Sequence, residues 1–372
     1  MAATTADRTD EAFMRTALGL AARGLGRTWP NPTVGCVLVQ GGVTVGRGWT
    51  QAGGRPHAET EALARAGSRA RGSTAYVSLE PCAHHGQTPP CAEALIAAGI
   101  GRAVVALRDP YPRVAGRGLQ ALADAGITVD TGLCEAAAAE VNAGFLMRLA
   151  QGRPLVTLKL ASSLDGRIAT HGGESRWITG EASRQRAHLL RAQNDAVLIG
   201  AGTAIADDPE LTVRLAGMAE FAPIRIVVDG RLRLSLTSGL VRTAKAHRTW
   251  LFTLAVVDAA RRHAYVDAGV DVITVDPDAG GLVDLRQVLR ILGERGLTRV
   301  LVEGGGRLAA SLARADLVDR IAWFRAGAII GGDGLPAVAG FGLDRLAGAP
   351  RFRRTGWLAT GDDILETYSR HG

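Results

Sequence analysis

Two α/β domains in series are what this sequence predicts, and three observations predict them. The chain has 372 residues, which is long for one domain. Short apolar strand-like runs alternate with helix-like stretches in both halves, the order of a layered α/β unit. Between the halves, Gln151-Gly152-Arg153-Pro154 interrupts a helical pattern just before a new apolar strand. Domains over 1–150 and 151–372 are therefore expected. With 47% hydrophobic but only 5% aromatic residues, their cores must rest on Ala, Val, Leu and Ile.

The first half opens with a helix over 11–23, its apolar face led by Phe13, Ala17 and Leu20, and Gly24 ends it. Pro30-Asn31-Pro32 breaks the chain. Runs 34–39 and 43–48 form a hairpin turned at Gly41-Gly42. A helix over 57–66 is closed by Gly67, and 75–79 is a buried strand. Helix 92–98, strand 103–107, helix 118–125 and strand 127–131 continue the alternation, and 135–149 reads as one longer helix. In the second half, strands are expected at 156–161, 196–200, 224–228, 249–254, 270–275, 299–302 and 321–325. Helices fit 181–192, 285–293 and 307–314. The stretch 232–284 carries no motif.

Composition narrows the function. The formal charge of +7 is spread over both halves, and no basic stripe with interleaved aromatics appears, so a nucleic-acid partner is not expected. No apolar run is long enough to cross a membrane. The polar start lacks the apolar core of a signal peptide, and a cytoplasmic enzyme is expected. Four unevenly spaced cysteines do not make a disulfide framework. Cys36 and Cys134 read as small buried residues.

The chemistry lies in three short segments: His57-Ala58-Glu59 at a helix start, Glu80-Pro81-Cys82 after a strand, and Pro89-Pro90-Cys91 before the next helix. Imidazole and thiolate are good zinc donors, and a catalytic zinc keeps three protein ligands with a fourth position for water. His57, Cys82 and Cys91 are the candidate ligands. A helix N-terminus further favours a thiolate. Glu59, two residues past His57, can reach the open position without binding metal and move a proton from water to departing ammonia. This arrangement is that of zinc deaminases of nucleobase-like rings. Here, however, residues 83–90 separate the cysteines, in place of the usual two. A closed structural site with His84 or His85 as fourth ligand is the alternative, and it would have no use for Glu59.

Taken together, Pro30-Asn31-Pro32-Thr33-Val34-Gly35-Cys36, His57-Ala58-Glu59, the segment from Leu79-Glu80-Pro81-Cys82 through His84-His85-Gly86-Gln87 to Cys91, and Val114-Ala115-Gly116-Arg117-Gly118 are specific. The chain resembles the bifunctional riboflavin-biosynthesis deaminase/reductase family over nearly its whole length. That resemblance implies a cytidine-deaminase-like three-layer domain followed by a dihydrofolate-reductase-like α/β domain. It implies one Zn2+ per chain and NADPH. The expected substrate is a phosphorylated pyrimidine, 2,5-diamino-6-(5-phosphoribosylamino)pyrimidin-4-one, first deaminated and then reduced from ribosyl to ribityl. Asn31, His84 and Asp109 would line the deaminase pocket, although alone Asn31 reads as a turn residue. Gln87 stands where the family usually carries a basic residue, and Tyr111 where Asn often follows Asp-Pro.

In the second half, Lys159 sits inside the apolar strand Val156-Thr157-Leu158-Lys159-Leu160-Ala161. Arg makes up all but two of the 43 basic residues, so a lysine here points to a need for lysine chemistry: a compact ammonium whose pKa falls when buried. A lysine reaching from a strand edge to solvent is the other reading. The resemblance, carried by Ser162-Ser163-Leu164-Asp165-Gly166-Arg167 and Gly173-Glu174-Ser175-Arg176-Trp177-Ile178-Thr179, places Lys159 at the ribose. It implies NADPH contacts from Ala161, Trp177, Thr203 and Asp207, and substrate contacts from Ser175, Arg191, Leu211 and Arg214. Strand Val300-Leu301-Val302-Glu303 feeds Gly304-Gly305-Gly306 into a helix, whose first N–H groups can hold phosphate. By resemblance Gly305, Gly306, Arg307, Leu308, Ala309, Ala310 and Ser311 form the NADPH phosphate site, with Glu303 a substrate contact or a partner for Lys159.

The expectation is thus a bifunctional enzyme, and a homo-oligomer, dimer or tetramer. Its rivals are a chain active only as deaminase, a deaminase of nucleic acid, and a zinc-stabilised assembly module.

Overall fold

Alternate residues of the strand Gly35–Gln40 feed two different cores, and this makes the first unit three-layered. The computed structural model describes residues 5–371, apart from 86–88, 112, 113, 219 and 341. The contacts of the chain divide it into two units, Met1–Gln151 and Gly152–Gly372.

The first unit runs α1 (Thr5–Ala21), β1 (Gly35–Gln40), β2 (Val43–Trp49), α2 (Ala58–Ala66), β3 (Thr74–Val77), α3 (Cys91–Ala97), β4 (Arg102–Val105), α4 (Arg117–Asp124), β5 (Thr128–Thr131), α5 (Glu135–Val141) and α6 (Ala143–Gln151). Its sheet has the order β2-β1-β3-β4-β5, with β1 antiparallel to both β2 and β3, and β3, β4 and β5 mutually parallel. Side chains alternate across a strand. Cys36 and Leu38 therefore join Ala58, Ala62 and Leu95 on one face. Val37 and Val39 join Met14, Ala17, Leu18 and Ala138 on the other. Helix α2 lies directly on β2: a methyl group at Gly48 would come within 2.1 Å of the Ala58 carbonyl oxygen. That close approach fixes where α2 starts.

One expectation fails here. The stretch 135–149 is two helices, α5 and α6, separated at Asn142. Asn142 is buried, and its Oδ1 accepts the Thr33 N–H at 3.0 Å, so its side chain is committed to the loop that carries Asn31. That bond spans 109 residues, so the break coincides with a tertiary contact and not with a local sequence signal. Cys134 is also not buried as expected; it is half-buried and left-handed (φ 60°) at the cap of α5.

The second unit runs β6 (Leu155–Ser162), β7 (Arg167–Ala169), α7 (Glu181–Ala192), β8 (Ala196–Gly200), α8 (Ala201–Asp207), β9 (Ile224–Val228), α9 (Gly239–Arg242), β10 (Thr249–Leu254), α10 (Ala259–Asp267), β11 (Asp271–Val275), α11 (Leu285–Glu294), β12 (Arg299–Glu303), α12 (Gly306–Arg314), β13 (Arg320–Arg325), β14 (Leu335–Pro336), β15 (Phe352–Thr360) and β16 (Asp363–Arg370). Nine strands form one sheet in the order β11-β10-β9-β8-β12-β6-β13-β16-β15, and β7 pairs separately with β14. From β11 to β13 all neighbours are parallel, while β16 pairs antiparallel with β13 and β15. Parallel strands are covered on both faces and so read as continuous apolar runs. Val197, Ile199, Val227, Leu251 and Leu301 meet Leu240, Val241 and Tyr265 in one cluster. In such a sheet, ligands are bound beyond the C-terminal ends of the strands. The end of β12 carries Glu303, and Lys159 lies opposite it inside β6.

Candidate active sites

His57 occupies the cap position of α2 in extended backbone, and Cys91 opens α3. Cys82 lies in the loop after β3. These elements bring His57, Cys82 and Cys91 together, their donor atoms all within 4.8 Å of one another. His57 Nδ1 lies 3.2 Å from Cys91 Sγ and 3.7 Å from Cys82 Sγ, and the Cys91 N–H donates to Cys82 Sγ at 3.3 Å. The Cys91 thiol, and then the His57 ring, pull the Cys82 thiol down to about 4; the same contact, and then burial, push the Cys91 thiol up. One nitrogen and two sulfurs at this separation fit a tetrahedral zinc. Glu59 is 3% exposed in the first turn of α2. Burial, and then the Cys82 charge, raise its carboxyl to about 6, within reach of proton exchange near neutral pH.

Asn31 packs against Gly54, where a methyl group would come within 2.0 Å of its Nδ2. His84 stands edge-on to Tyr111 with ring centroids 6.5 Å apart, and its Nδ1 is buried without a hydrogen-bond partner among the described residues. Asp109 is buried, which raises its carboxyl to about 6, and it is close enough to feel the charges of His84 and Cys82. Tyr111 serves it through backbone, donating its N–H to Asp109 Oδ1 at 2.8 Å. Gln87 lies outside the described residues.

In the second unit Lys159 faces Glu303 across the β6–β12 ladder. Its Nζ sits 5.8 Å from the centre of the Phe324 ring. Burial pushes the ammonium below its ordinary value; Glu303 opposes this and Arg191 adds to it. Glu303 and Arg191 bind each other two-pronged, at 2.6 and 2.9 Å. Burial alone would raise Glu303, but Arg191 outweighs it and holds the carboxyl at about 2. Arg191 also donates to the Thr212 carbonyl at 3.0 Å, just beyond Leu211, which is buried and left-handed at φ 55°.

The remaining reductase candidates gather less tightly. Thr203 Oγ1 accepts the Gly305 N–H at 3.0 Å, joining α8 to the glycine turn. Arg176 donates to the Asp207 carbonyl at 3.0 Å, and Trp177, 67% exposed, lies under Arg184. Ala161 pairs with Phe324 in the sheet, and Ser175 is half-buried. Arg214 is exposed and paired with Glu210 at 2.7 Å. Ala309 and Ala310 are buried, and the Leu308 and Ala309 N–H groups bond to the Gly305 carbonyl. A phosphate at this helix start would therefore be held by N–H groups ahead of them, near Gly306 and Arg307.

Two residues escaped the sequence reading. His188 Nδ1 lies 3.1 Å from the Thr212 carbonyl and 3.3 Å from the Arg214 N–H; one ring nitrogen either donates to the first or accepts from the second, and either bond ties α7 to the 211–214 segment. Its only sequence signal is its place one helical turn before Arg191. Glu80 is 4% exposed beside Cys82, and its carboxylate is surrounded by backbone N–H groups. It stands inside a quoted motif, but such partners leave no trace in sequence.

Two family signatures divide the chain as the two units do. The cytidine and deoxycytidylate deaminase zinc-binding region matches residues 7–107, and the RibD C-terminal domain matches 154–365. The riboflavin biosynthesis protein RibD of Escherichia coli is 41% identical over 375 residues, covering 95% of this chain and 98% of that protein. Its namesake from Aquifex aeolicus is 40% identical, covering 97% and 99%. RibD of Acinetobacter baumannii superposes with a TM-score of 0.87 at 38% identity, covering 99% of this chain and all of that one. The Thermotoga maritima deaminase/reductase gives 0.86 at 33%, covering 98% and 99%. The first unit is thus cytidine-deaminase-like and the second dihydrofolate-reductase-like, with Zn2+ and NADPH as their cofactors. The chain belongs to the RibD family and is a bifunctional deaminase and reductase of riboflavin biosynthesis.

Proposed function

We propose that residues 1–150 deaminate 2,5-diamino-6-(5-phosphoribosylamino)pyrimidin-4-one and that 151–372 reduce the product to 5-amino-6-(5-phosphoribitylamino)uracil. The observation that carries the first step is a buried carboxyl, Glu59, against a His57–Cys82–Cys91 donor set. Those three residues would hold zinc, which when bound supplies a water acidic enough to ionise near neutral pH. Glu59 takes the proton at a carboxylate oxygen. The water oxygen bonds to the amino-bearing ring carbon, the C–N bond breaks, and Glu59 returns the proton to the leaving nitrogen. Asn31, His84 and Asp109 orient the ring; the buried His84 Nδ1, without a partner among the described residues, supports a polar group docking there.

For the second step, NADPH when bound supplies the hydride. Lys159 gives a proton from Nζ to the ribose oxygen as the sugar opens, and its lowered pKa supports that role. Glu303 and Arg191 hold Lys159 in a fixed field, and Ser175, Leu211 and Arg214 lie toward the substrate. Ala161, Trp177, Thr203, Asp207 and the turn from Gly305 to Ser311 form the NADPH surface. We place the enzyme in the cytoplasm, as a homo-oligomer. Strand β15 supports the latter: it is a sheet edge bearing Trp357, 67% exposed, and Leu358.

The test follows ammonia release and NADPH oxidation together with the diaminopyrimidine phosphate as substrate. Both signals are expected, and zinc analysis should find one ion per chain. Ammonia without NADPH oxidation would leave the second half silent.

A further inference from the structure

Glu80 is a buried carboxylate whose described partners are backbone N–H groups of the β4–α4 loop and the first turn of α4. Oε2 accepts from Asp109 at 3.2 Å and from Gly116 at 3.0 Å, and Oε1 accepts from Gly118 at 3.0 Å. Its own N–H donates to the Leu107 carbonyl at 2.9 Å. The packing around it leaves no slack. A methyl group at Gly118 would come within 2.0 Å of the Pro81 carbonyl oxygen, so the start of α4 rests on the residue that precedes Cys82. Cys82 in turn accepts the Ala92 N–H at its carbonyl, at 3.1 Å, and the Cys91 N–H at Sγ. A single side chain thus ties together the loop of one proposed zinc ligand, the loop of Asp109 and the head of α4.

From this geometry we infer that Glu80 is a positioning residue of the deaminase, setting the distance between the Cys82 loop and Asp109. It would act through the backbone it holds. The inference rests on the proposed roles of Cys82 and Asp109. Replacing one oxygen by an amide sets an NH2 group against N–H donors, and Glu80→Gln must break either the bonds to Asp109 and Gly116 or the bond to Gly118. A shift of about 1 Å at reacting groups can cost roughly 10²-fold in rate.

The test uses the full-length, zinc-loaded enzyme. The parent must release ammonia from the diaminopyrimidine phosphate; if it does not, the functional reading itself fails. In Glu80→Gln, kcat for ammonia release should fall about 10²-fold and KM should rise, while zinc stays at one per chain. NADPH oxidation with the deaminated intermediate should match the parent, which reports that the second unit is folded, while the retained zinc reports the first. Gly118→Ala leaves the carboxylate intact but pushes the same loop, and should lower ammonia release without loss of zinc. Glu80→Asp, which keeps both oxygens, should recover part of the kcat. Parental kcat and KM in Glu80→Gln would overturn the proposal. So would a loss that tracks zinc loss alone, or one shared equally by NADPH oxidation.

Discussion

The two candidate sites are built in opposite ways. The candidate deaminase site draws its proposed metal donors and proton carrier from three short segments, two at helix starts and one in the loop after β3, and the donor atoms lie within 4.8 Å. The candidate reductase site is spread over β6, α7 and β12, and its Arg191–Glu303 pair joins residues 112 positions apart. A site built from compact motifs concentrates its chemistry in single residues. A site built across a sheet depends on long-range pairs that also hold the fold.

The largest effect should fall on Glu59. Glu59→Gln keeps the shape but not the proton, so ammonia release should drop by about 10²- to 10⁴-fold. Zinc content and NADPH oxidation with the deaminated intermediate should stay at parental levels. Normal ammonia release would remove Glu59 from the mechanism and blur the contrast between the sites.

Lys159→Arg tests the other side. A guanidinium stays charged and cannot give up its proton, so NADPH oxidation should fall by about 10²-fold with deamination untouched. An unimpaired reductase would make Lys159 a solvent-reaching strand residue.

Glu303→Gln should act mainly on stability. It leaves Arg191 buried without a counter-charge, at a cost of about 3 kcal/mol, read from denaturant unfolding of the second unit. The pH dependence has a definite sign. With the folded carboxyl at about 2 and an ordinary value of 4.5, the stabilisation is fully present above 4.5. It is lost as pH falls from there through about 2. Acid unfolding that is identical in parent and Glu303→Gln would contradict the pairing.

How much of this was legible depended on the same contrast. His57, Glu59, Cys82 and Cys91 were readable because ligand chemistry constrains short spacings. The helix α8, the hairpin β15–β16 and the helices within 232–284 were not read, since they are short or lack a clean apolar period. The break at Asn142 was missed because it depends on a bond to Thr33, far away in sequence. Glu80 and His188 act through backbone partners, which carry no residue signature. Arg191 was named as a substrate contact and Glu303 as a substrate contact or a partner for Lys159; that Arg191 and Glu303 bind each other came only from the fold, which sets Glu303 beside Lys159 and brings α7 to it.

The smallest effect concerns position 87. If the family's usual basic residue aids phosphate binding there, Gln87→Arg should lower the deaminase KM by roughly two- to fivefold, as an exposed charge pair allows. An unchanged KM would show that this position makes no phosphate contact.

The central claim, that one chain carries two working sites of different construction, is tested most directly by stoichiometry. Purified protein is given the diaminopyrimidine phosphate and NADPH, and both ammonia and NADPH are followed to completion. The account predicts one NADPH oxidised for each ammonia released, with both signals slowed in Glu59→Gln and only the second slowed in Lys159→Arg. Ammonia released by the parent without NADPH oxidation, or NADPH oxidation at the parental rate in Lys159→Arg, would contradict it.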